Sequence, residues 1–357
     1  MIPKSQIVTL PVYEPGKPIE DVKRELGLTE VIKLASNENP FGCSPKVKEA
    51  ITAQLDSLSI YPDGACLELG AAVASHLNVS QEQLMFGNGS DEIVMLITRA
   101  YLQPGMNTVM ATPTFSVYKT NATIEGADVI EVPCIDGDHD LDGMMASINW
   151  DTRVLWICNP NNPTGKTINK DKLTALLKQV PEHVLVVLDE AYVEYVKDAD
   201  FPNALELIKE HKNLIVLRTF SKIYGIAALR VGYGLADESI IDKLNRVREP
   251  FNVNSLAQKA ALAALADQEF VAKCKQANTE GLAQVYAALD EIGLAYYPSE
   301  TNFVYILPER NPREIFEAMM SKGVIIRAFP QAIRVTIGSR DENEKMIAAL
   351  KSVLTPV

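Results

Sequence analysis

Short apolar runs alternate with stretches of helical periodicity through the middle of the chain. Three runs, residues 154–158, 184–188 and 214–217, are unbroken and rich in Val, Ile and Leu, as in strands buried on both faces of a sheet. Further strand candidates are residues 84–86, 108–110 and 129–132. The alternation predicts βαβ units and a mostly parallel sheet.

The pattern changes on both sides of this region. Beyond residue 250, an Ala-rich helical stretch (255–292, interrupted near Asp267) is followed by a run of short strands and helices, which predicts a small α+β domain. Residues 1–45 are rich in Pro and polar residues and contain one helix candidate, so we expect an arm that packs beside this small domain. The predicted fold is therefore α/β, with a large domain (46–250) and a small domain (251–357).

Composition narrows the class of protein. A chain of 357 residues with 47% hydrophobic and 22% charged residues is ordinary for a soluble globular protein, and a net charge of −12 argues against nucleic acid or an anionic membrane as a partner. Five cysteines without a Cys-x-x-Cys pair and four scattered histidines predict neither a disulfide framework nor a metal site. With no span-like apolar stretch or signal-like N-terminus, we expect a cytoplasmic protein.

Polar residues follow each of the three central runs. Asn162 lies in an Asn/Pro/Gly turn after the first, Asp189 and Tyr192 follow the second, and Ser221 and Lys222 follow the third. Ligands of open α/β sheets gather beyond the carboxyl ends of the strands, so these positions should meet in one crevice. A lysine amine is the usual protein handle for pyridoxal phosphate.

This set of motifs resembles the fold-type I aminotransferases, the family built like aspartate aminotransferase. The resemblance implies that Lys222 binds pyridoxal 5'-phosphate covalently and moves the substrate Cα proton. It also implies that Asp189 keeps the pyridine nitrogen protonated, and that Tyr192 and Asn162 donate to the phenolate oxygen of the cofactor. The expected catalytic residues are thus Lys222, Asp189 and Tyr192.

The start of a predicted helix offers a phosphate site. Ser90 and Asp91 follow a Gly-rich turn, where backbone N–H groups can bind a phosphate or where the two side chains can cap an ordinary helix. The resemblance implies the phosphate role. It adds Ser221 and Arg230 to the phosphate cup, with Tyr61 reaching in from a second subunit, and therefore implies a two-fold homodimer.

An aromatic side chain, Phe115, lies just past a strand end. Its ring suits either the core or the face of a flat heteroaromatic ring. In the family, Tyr or Phe at this position lies on the pyridine face, so the resemblance implies that Phe115 binds the cofactor.

Substrate residues are expected at both ends of the chain. Arg327 and Arg334 lie on successive strand candidates, where a guanidinium can bind a carboxylate or phosphate or form a surface ion pair. Tyr13 and Asn39 lie in loops punctuated by Pro and Gly, which suit either plain turns or a cover over a site.

The loop of Asn39 is similar to the Asn-Glu-Asn-Pro segment of histidinol-phosphate aminotransferases, and the whole chain resembles those of Gram-positive bacteria. The resemblance implies transamination of L-histidinol phosphate with 2-oxoglutarate in histidine biosynthesis. Arg334 would hold the glutamate carboxylate or the substrate phosphate, and Arg327, Tyr13 and Asn39 would assist.

Three alternatives stay open. An aromatic amino-acid transaminase is the nearest, because a site for an imidazole ring can take a phenyl ring and Phe329 adds an apolar contact. A carboxy-lyase for a phosphorylated amino acid would share Lys222 and the phosphate cup. A cofactor-binding regulator without activity is disfavoured, since all the catalytic positions are filled.

Overall fold

The computed structural model describes residues 1–8, 10–12 and 17–354. The helices in these ranges are α1 (Ile19–Leu26), α2 (Pro45–Gln54), α3 (Leu67–Leu77), α4 (Ser90–Tyr101), α5 (Val117–Ile124), α6 (Leu141–Ala146), α7 (Lys170–Leu177), α8 (Ala204–Glu210), α9 (Glu238–Asn245), α10 (Ser255–Leu265), α11 (Gln268–Glu291), α12 (Pro312–Ser321) and α13 (Arg340–Leu354). The strands are β1 (Ile32–Lys33), β2 (Leu84–Gly87), β3 (Asn107–Thr112), β4 (Asp128–Pro133), β5 (Thr152–Cys158), β6 (Leu185–Asp189), β7 (Leu214–Thr219), β8 (Gly232–Ala236), β9 (Ala295–Tyr297), β10 (Phe303–Leu307), β11 (Val324–Ile325), β12 (Arg327–Ala328) and β13 (Ile333–Thr336).

A seven-stranded sheet in the order β2-β8-β7-β6-β5-β3-β4 forms the centre of the large domain. Its strands are parallel except β8, which runs antiparallel to both β2 and β7. The three apolar runs become β5, β6 and β7, and both faces of these strands are covered: Leu188 and Val216 belong to the core on one face, and Val187 and Leu217 to the core on the other. The predicted mostly parallel sheet is confirmed.

Strand register aligns the three polar strand ends. Cys158 of β5 lies opposite Asp189 of β6, and Asp189 lies opposite Leu217 of β7. The residues that follow β5, β6 and β7 therefore leave the sheet along one edge, as the sequence predicts.

A four-stranded antiparallel sheet, β12-β13-β10-β9, forms the small domain together with α12, α13 and the second half of α11. β11 does not join this sheet: it pairs in parallel with β1 of the N-terminal arm, Ile32 opposite Val324. This pairing fastens the arm to the small domain. Within the described ranges, no helix combines the length and the apolar character needed to cross a bilayer.

Residues of α11 belong to two different apolar cores. α10 packs against α2 and α3, and Ala257, Ala261 and Cys274 belong to the core of the large sheet. Leu282 and Val285, farther along α11, belong to the core of the small domain. Asp267 caps α11 through its side chain, which confirms the predicted interruption of the helical stretch.

Candidate active site

A cavity of about 470 Å³ lies at the carboxyl edge of the large sheet, between that sheet, the small domain and the arm. It brings together most of the site residues predicted from the sequence. Those that line it are Ser90, Asp91, Phe115, Asn162, Asp189, Tyr192, Ser221, Lys222, Arg230, Arg327 and Arg334.

Lys222 follows β7 in a tight turn, in which the Gly225 N–H donates to the Lys222 carbonyl (3.0 Å). Gly225 has φ +70°, and a Cβ there would lie only 1.7 Å from the Gly42 carbonyl oxygen, so the turn and the arm meet as backbone against backbone. The amine donates to the Ser36 carbonyl oxygen (3.3 Å). Burial, with the charge of Arg334 adding to it, lowers the pKa of Lys222 to about 8. About a tenth of this amine is therefore neutral and nucleophilic at pH 7.

Asp189 ends β6 with a buried carboxylate. Its Oδ2 accepts from the Tyr118 hydroxyl (2.5 Å) and its Oδ1 from the Ala191 N–H (3.1 Å). Burial raises the pKa of Asp189 to about 6, against the lowering effect of these two hydrogen bonds. The carboxylate is still mostly ionised at neutral pH and can face a protonated ring nitrogen.

Tyr192 is held from the arm and from the small domain. Its hydroxyl accepts from Asn37 Nδ2 (2.8 Å), and Asn37 Oδ1 accepts from the Thr336 hydroxyl (3.0 Å). Burial raises the pKa of Tyr192, so the phenol keeps its proton. Since its oxygen already accepts a hydrogen bond, its O–H is left to donate to a group in the cavity.

The N-terminus of α4 forms one end of the cavity. The first-turn N–H groups of Ser90 and Asp91 have no intrahelical acceptor, and Gly89 (φ +80°), which precedes the helix, has no side chain to cap them. Arg230 donates to the Ser221 hydroxyl (3.3 Å) and to the Asp91 carboxylate (3.2 Å). Backbone amides, a hydroxyl and a guanidinium at a helix N-terminus can bind a phosphate.

Arg334 forms the other end of the cavity and is only 8% exposed. It donates to Asn162 Oδ1 (2.5 Å) and to the Ala35 carbonyl oxygen (2.8 Å). Phe303 and Phe329 flank its guanidinium, with ring centroids 5.1 and 5.7 Å from Cζ. Because Asn162 accepts from Arg334 with its oxygen, its amide nitrogen is the group that can donate to a ligand, in keeping with the role expected for it.

Phe115 lies beside the buried aromatic group that supports Asp189. Its ring meets Tyr118 edge to face with a centroid distance of 5.4 Å, and Tyr118 stacks on Trp156 at 4.6 Å. One side of the Phe115 ring lines the cavity, and the other side packs against the core. The ring therefore occupies both of the positions that the sequence left open.

Two predicted residues lie outside the cavity lining, and a third is not described. Asn39 donates to the Ile223 carbonyl oxygen (2.7 Å) and thus ties the arm to the turn of Lys222 instead of lining the cavity. Tyr61 is 79% exposed and stacks on Phe251 at 4.8 Å, on another part of the described surface. Tyr13 lies outside the described residues.

Sequence reasoning missed two residues of the site. Asn37 belongs to the same segment as Asn39, and this short stretch carries two amides with nothing to indicate which one points inward. Tyr118 belongs to α5, a helix that we did not predict, because β-branched and polar residues over 117–124 weaken the helical signal.

Comparison with known proteins identifies the family. The model of the family described as aminotransferase class I and II matches residues 29–350. The chain belongs to this aminotransferase family. It is 55% identical to the histidinol-phosphate aminotransferase of Brevibacillus brevis, over 99% of each chain, and 53% identical to the protein of that name from Geobacillus strain WCH70, over 98% of each.

The fold of this aminotransferase matches that of a solved relative. The structure of the histidinol-phosphate aminotransferase of Sinorhizobium meliloti in complex with pyridoxal-5'-phosphate is similar with a TM-score of 0.91 at 29% identity, over 98% of this chain and 96% of that one. The resemblance identified from the sequence motifs, and the α/β fold that it implied, are confirmed.

Proposed function

We propose that the chain is a pyridoxal-phosphate-dependent aminotransferase that converts L-histidinol phosphate and 2-oxoglutarate to imidazole acetol phosphate and L-glutamate, a step of histidine biosynthesis. The observation that carries the proposal is the placement of Lys222 and Arg334 in one cavity, because it puts a partly neutral amine beside an anchored guanidinium. Identities above 50% to proteins named histidinol-phosphate aminotransferase, over almost the whole chain, support the choice of substrate.

The residues present fit pyridoxal phosphate. The coenzyme has an aldehyde, a ring nitrogen, a phenolic oxygen and a phosphate. Lys222 offers an amine to the aldehyde, Asp189 a carboxylate to the ring nitrogen and Tyr192 a donor to the phenolic oxygen. The α4 N-terminus, with Ser221 and Arg230, would bind the phosphate, Asn162 would assist at the phenolic oxygen, and Phe115 would contact the ring face. When bound, the coenzyme supplies an electron sink for the bonds of the substrate Cα.

Side chains of the protein would carry out the proton transfer. Lys222 Nζ would take the proton from the substrate Cα once its amine is released, and its pKa of about 8 suits a general base near neutral pH. Asp189 would hold a proton on the ring nitrogen, which favours electron withdrawal. Tyr192, with its raised pKa, would donate a hydrogen bond and keep its own proton.

Arg334 would hold the anionic end of each substrate in turn, the phosphate of histidinol phosphate and the side-chain carboxylate of glutamate. A guanidinium matches both anions, since each can accept two parallel N–H donors. Arg327 would assist it, and Tyr13 and Asn39 remain candidates from the arm. The close relatives are named histidinol-phosphate aminotransferase, which favours that activity over an aromatic transaminase or a carboxy-lyase.

We further infer a homodimer in the cytoplasm. Large apolar side chains close to Tyr61 in the sequence are exposed, among them Leu58 (60%), Ile60 (69%) and Leu67 (61%), and grouped exposure of this kind is typical of a protein–protein interface. In the proposed dimer, the family resemblance implies that Tyr61 of each copy would reach the phosphate cup of the other. Light scattering should give about twice 39.2 kDa for the native protein, and Leu58→Asp with Ile60→Asp should reduce both mass and activity. A native monomer with full activity contradicts this inference.

The substrate is tested by comparing amino donors. Purified protein loaded with pyridoxal phosphate should form glutamate from histidinol phosphate and 2-oxoglutarate, and Lys222→Ala should form none. We expect kcat/KM for histidinol phosphate to exceed that for phenylalanine or tyrosine at least about 100-fold, because its phosphate offers the guanidinium groups more negative charge and more acceptor oxygens than the α-carboxylate of either amino acid does. Equal values for the three donors would favour the aromatic transaminase. Release of carbon dioxide from phosphothreonine without a keto acid would favour the carboxy-lyase.

A further inference from the structure

The hydroxyl of Tyr118 donates to the Asp189 carboxylate, and it also interacts with the thiol of Cys158. Tyr118 is fully buried, and a buried phenol needs a hydrogen-bond partner. That partner is Asp189 Oδ2, at 2.5 Å. The other hydrogen bond to this carboxylate comes from the backbone N–H of Ala191 (3.1 Å), so among the described residues Tyr118 is its side-chain donor.

The ring of Tyr118 is held rigidly. It stacks on Trp156 with an interplanar angle of 11°, and Phe115 packs against it at 83°. Trp156 Nε1 donates to the Thr108 hydroxyl (2.7 Å), which in turn donates to the Val154 carbonyl oxygen (2.7 Å). The chain of contacts therefore runs from the backbone of β5 to the carboxylate of Asp189, and it leaves the Tyr118 hydroxyl little freedom to turn away.

The surroundings of Asp189 otherwise oppose its charge. It lies in the core, and the carboxylates of Asp91 and Glu190 act on it with like charge. The thiol of Cys158 and the phenol of Tyr192 also face this region, and burial keeps both protonated by raising their pKa values. A donated hydrogen bond from Tyr118 favours the ionised form of the carboxylate.

We propose that Tyr118 is a positioning residue: its hydroxyl orients the Asp189 carboxylate and keeps it ionised toward the ring nitrogen of the coenzyme. This inference rests on the proposed function, because the carboxylate needs a partner in the cavity. Tyr118 itself does not line the cavity, so it acts through Asp189. Loss of the hydroxyl should therefore weaken coenzyme binding. The effect should be largest at neutral and acidic pH, where a proton can bind to the Asp189 carboxylate.

The test is Tyr118→Phe in the full-length protein, with Tyr101→Phe as the matched control. Tyr101 lies at the far end of α4 and packs against the same core, so its change removes a phenol hydroxyl without reaching Asp189. The dissociation constant of pyridoxal phosphate is measured by absorbance titration of cofactor-free protein from pH 6 to 9, together with kcat, KM and Tm.

At pH 7 we expect Tyr118→Phe to weaken coenzyme binding about 10-fold, the effect of losing a hydrogen bond to a charged group, and to lower kcat with little change in KM. The ratio of variant to native dissociation constants should shrink toward pH 9, where Asp189 is ionised in both proteins. The titration of Lys222 is common to both proteins and cancels in this ratio. Tyr101→Phe should match the native protein.

A ratio that is the same at all pH values, or equal to one, overturns the proposal, since a purely structural role changes Tm without a pH-dependent effect. Asp189→Asn gives a second check. In that background, Tyr118→Phe should add no pH-dependent loss, and an undiminished effect contradicts action through Asp189. If the native protein binds no coenzyme, the proposed function itself is contradicted. If the native protein binds the coenzyme and Tyr118→Phe binds it equally well, only the role of Tyr118 is contradicted.

Discussion

Arg327 and Arg334 are direct partners across the antiparallel strands β12 and β13, and both line the cavity. Side chains of directly paired residues leave a sheet on the same face, and like charges in such pairs are destabilising. Two guanidinium groups in this arrangement make a site for an anion, which offsets their repulsion. The two are not equivalent, because Arg334 is buried and bonded to Asn162 and Ala35, whereas Arg327 is half-buried.

We expect Arg334→Gln to raise KM for both histidinol phosphate and 2-oxoglutarate by about 100-fold or more, since truncating one partner of a buried charged pair costs about 2–5 kcal/mol. Arg327→Gln should have a smaller effect, about 10-fold or less, because a partly solvated charge contributes less. Steady-state kinetics with each substrate varied in turn measures both. Arg313→Gln, on the exposed side of α12, is the control. A change in KM for one substrate only would show that the phosphate and the carboxylate have separate sites.

The local pattern of apolar and polar residues was enough to predict which residues at the strand ends form the site. β5, β6 and β7 are buried on both faces, so their sequences are unbroken apolar runs, and the polar residue that follows each run has to lie at the edge of the sheet. Lys222 and Asp189 could therefore be placed in one crevice before the structure was known.

Long-range contacts explain what could not be predicted. Asn37 lies in the cavity because Thr336, 299 residues away, bonds both its backbone N–H and its side chain, which holds it at φ +58°. Nothing within residues 34–42 carries that information, so Asn39 was the equally reasonable choice. In the same way, α10 joins the large domain through its contacts with α2 and α3, which no feature of its own Ala-rich sequence indicates.

A substitution at Gly232 tests whether the start of α4 binds the coenzyme phosphate. A Cβ at this residue would lie 2.6 Å from the Ser90 nitrogen and 2.9 Å from the Arg218 carbonyl oxygen, both backbone atoms that cannot move aside. We expect Gly232→Ala to displace the start of α4 and weaken coenzyme binding about 10-fold or more, in line with the 1–3 kcal/mol typical of overpacking.

Gly234→Ala on the same strand is the matched control for this change, because its Cβ would meet the flexible Met85 side chain at 3.3 Å. Titration of cofactor-free protein with pyridoxal phosphate measures both variants. Equal affinities of the two variants would show that the backbone at Ser90 does not bind the phosphate.

A buried ion pair lies next to the strand ends that line the cavity. Arg218 donates through Nε and Nη2 to Glu190 Oε2 (2.9 and 2.8 Å), and the Glu190 side chain is fully buried. We expect Arg218→Met to lower the free energy of unfolding by about 3–5 kcal/mol, because it leaves a buried carboxylate unpaired. The double change Arg218→Met with Glu190→Leu should recover most of this loss.

Urea unfolding of the cofactor-free proteins measures these differences. The exposed pair Arg313 and Glu317 on α12 is the control, and its removal should change the free energy by about 0–1 kcal/mol. A double variant as unstable as Arg218→Met alone would mean that the desolvation of Glu190 is not the source of the loss.

The pH dependence of coenzyme capture follows from the burial of Lys222. Burial disfavours the charged amine and lowers its pKa from 10.5 to about 8. The neutral amine is the form that attacks an aldehyde, and its fraction rises with pH, so the rate constant for capture of pyridoxal phosphate by cofactor-free protein should rise to a plateau with a midpoint near 8. Stopped-flow absorbance gives this rate, and borohydride reduction followed by peptide mapping should place the adduct on residue 222.

The same experiment on Arg334→Gln separates the effect of the Arg334 charge from the other causes of the lowered pKa of Lys222. After burial, the charge of Arg334 is the largest of them, and its removal makes protonation of Lys222 easier. The midpoint should therefore move upward, and a higher pH should be needed for the same rate. Lys222→Ala should form no adduct at residue 222. Any adduct that it does form comes from other lysines and is subtracted as background. A native midpoint near 10 would mean that water reaches the amine, and the lysine would then lack the neutral fraction that proton transfer from the substrate Cα requires at neutral pH.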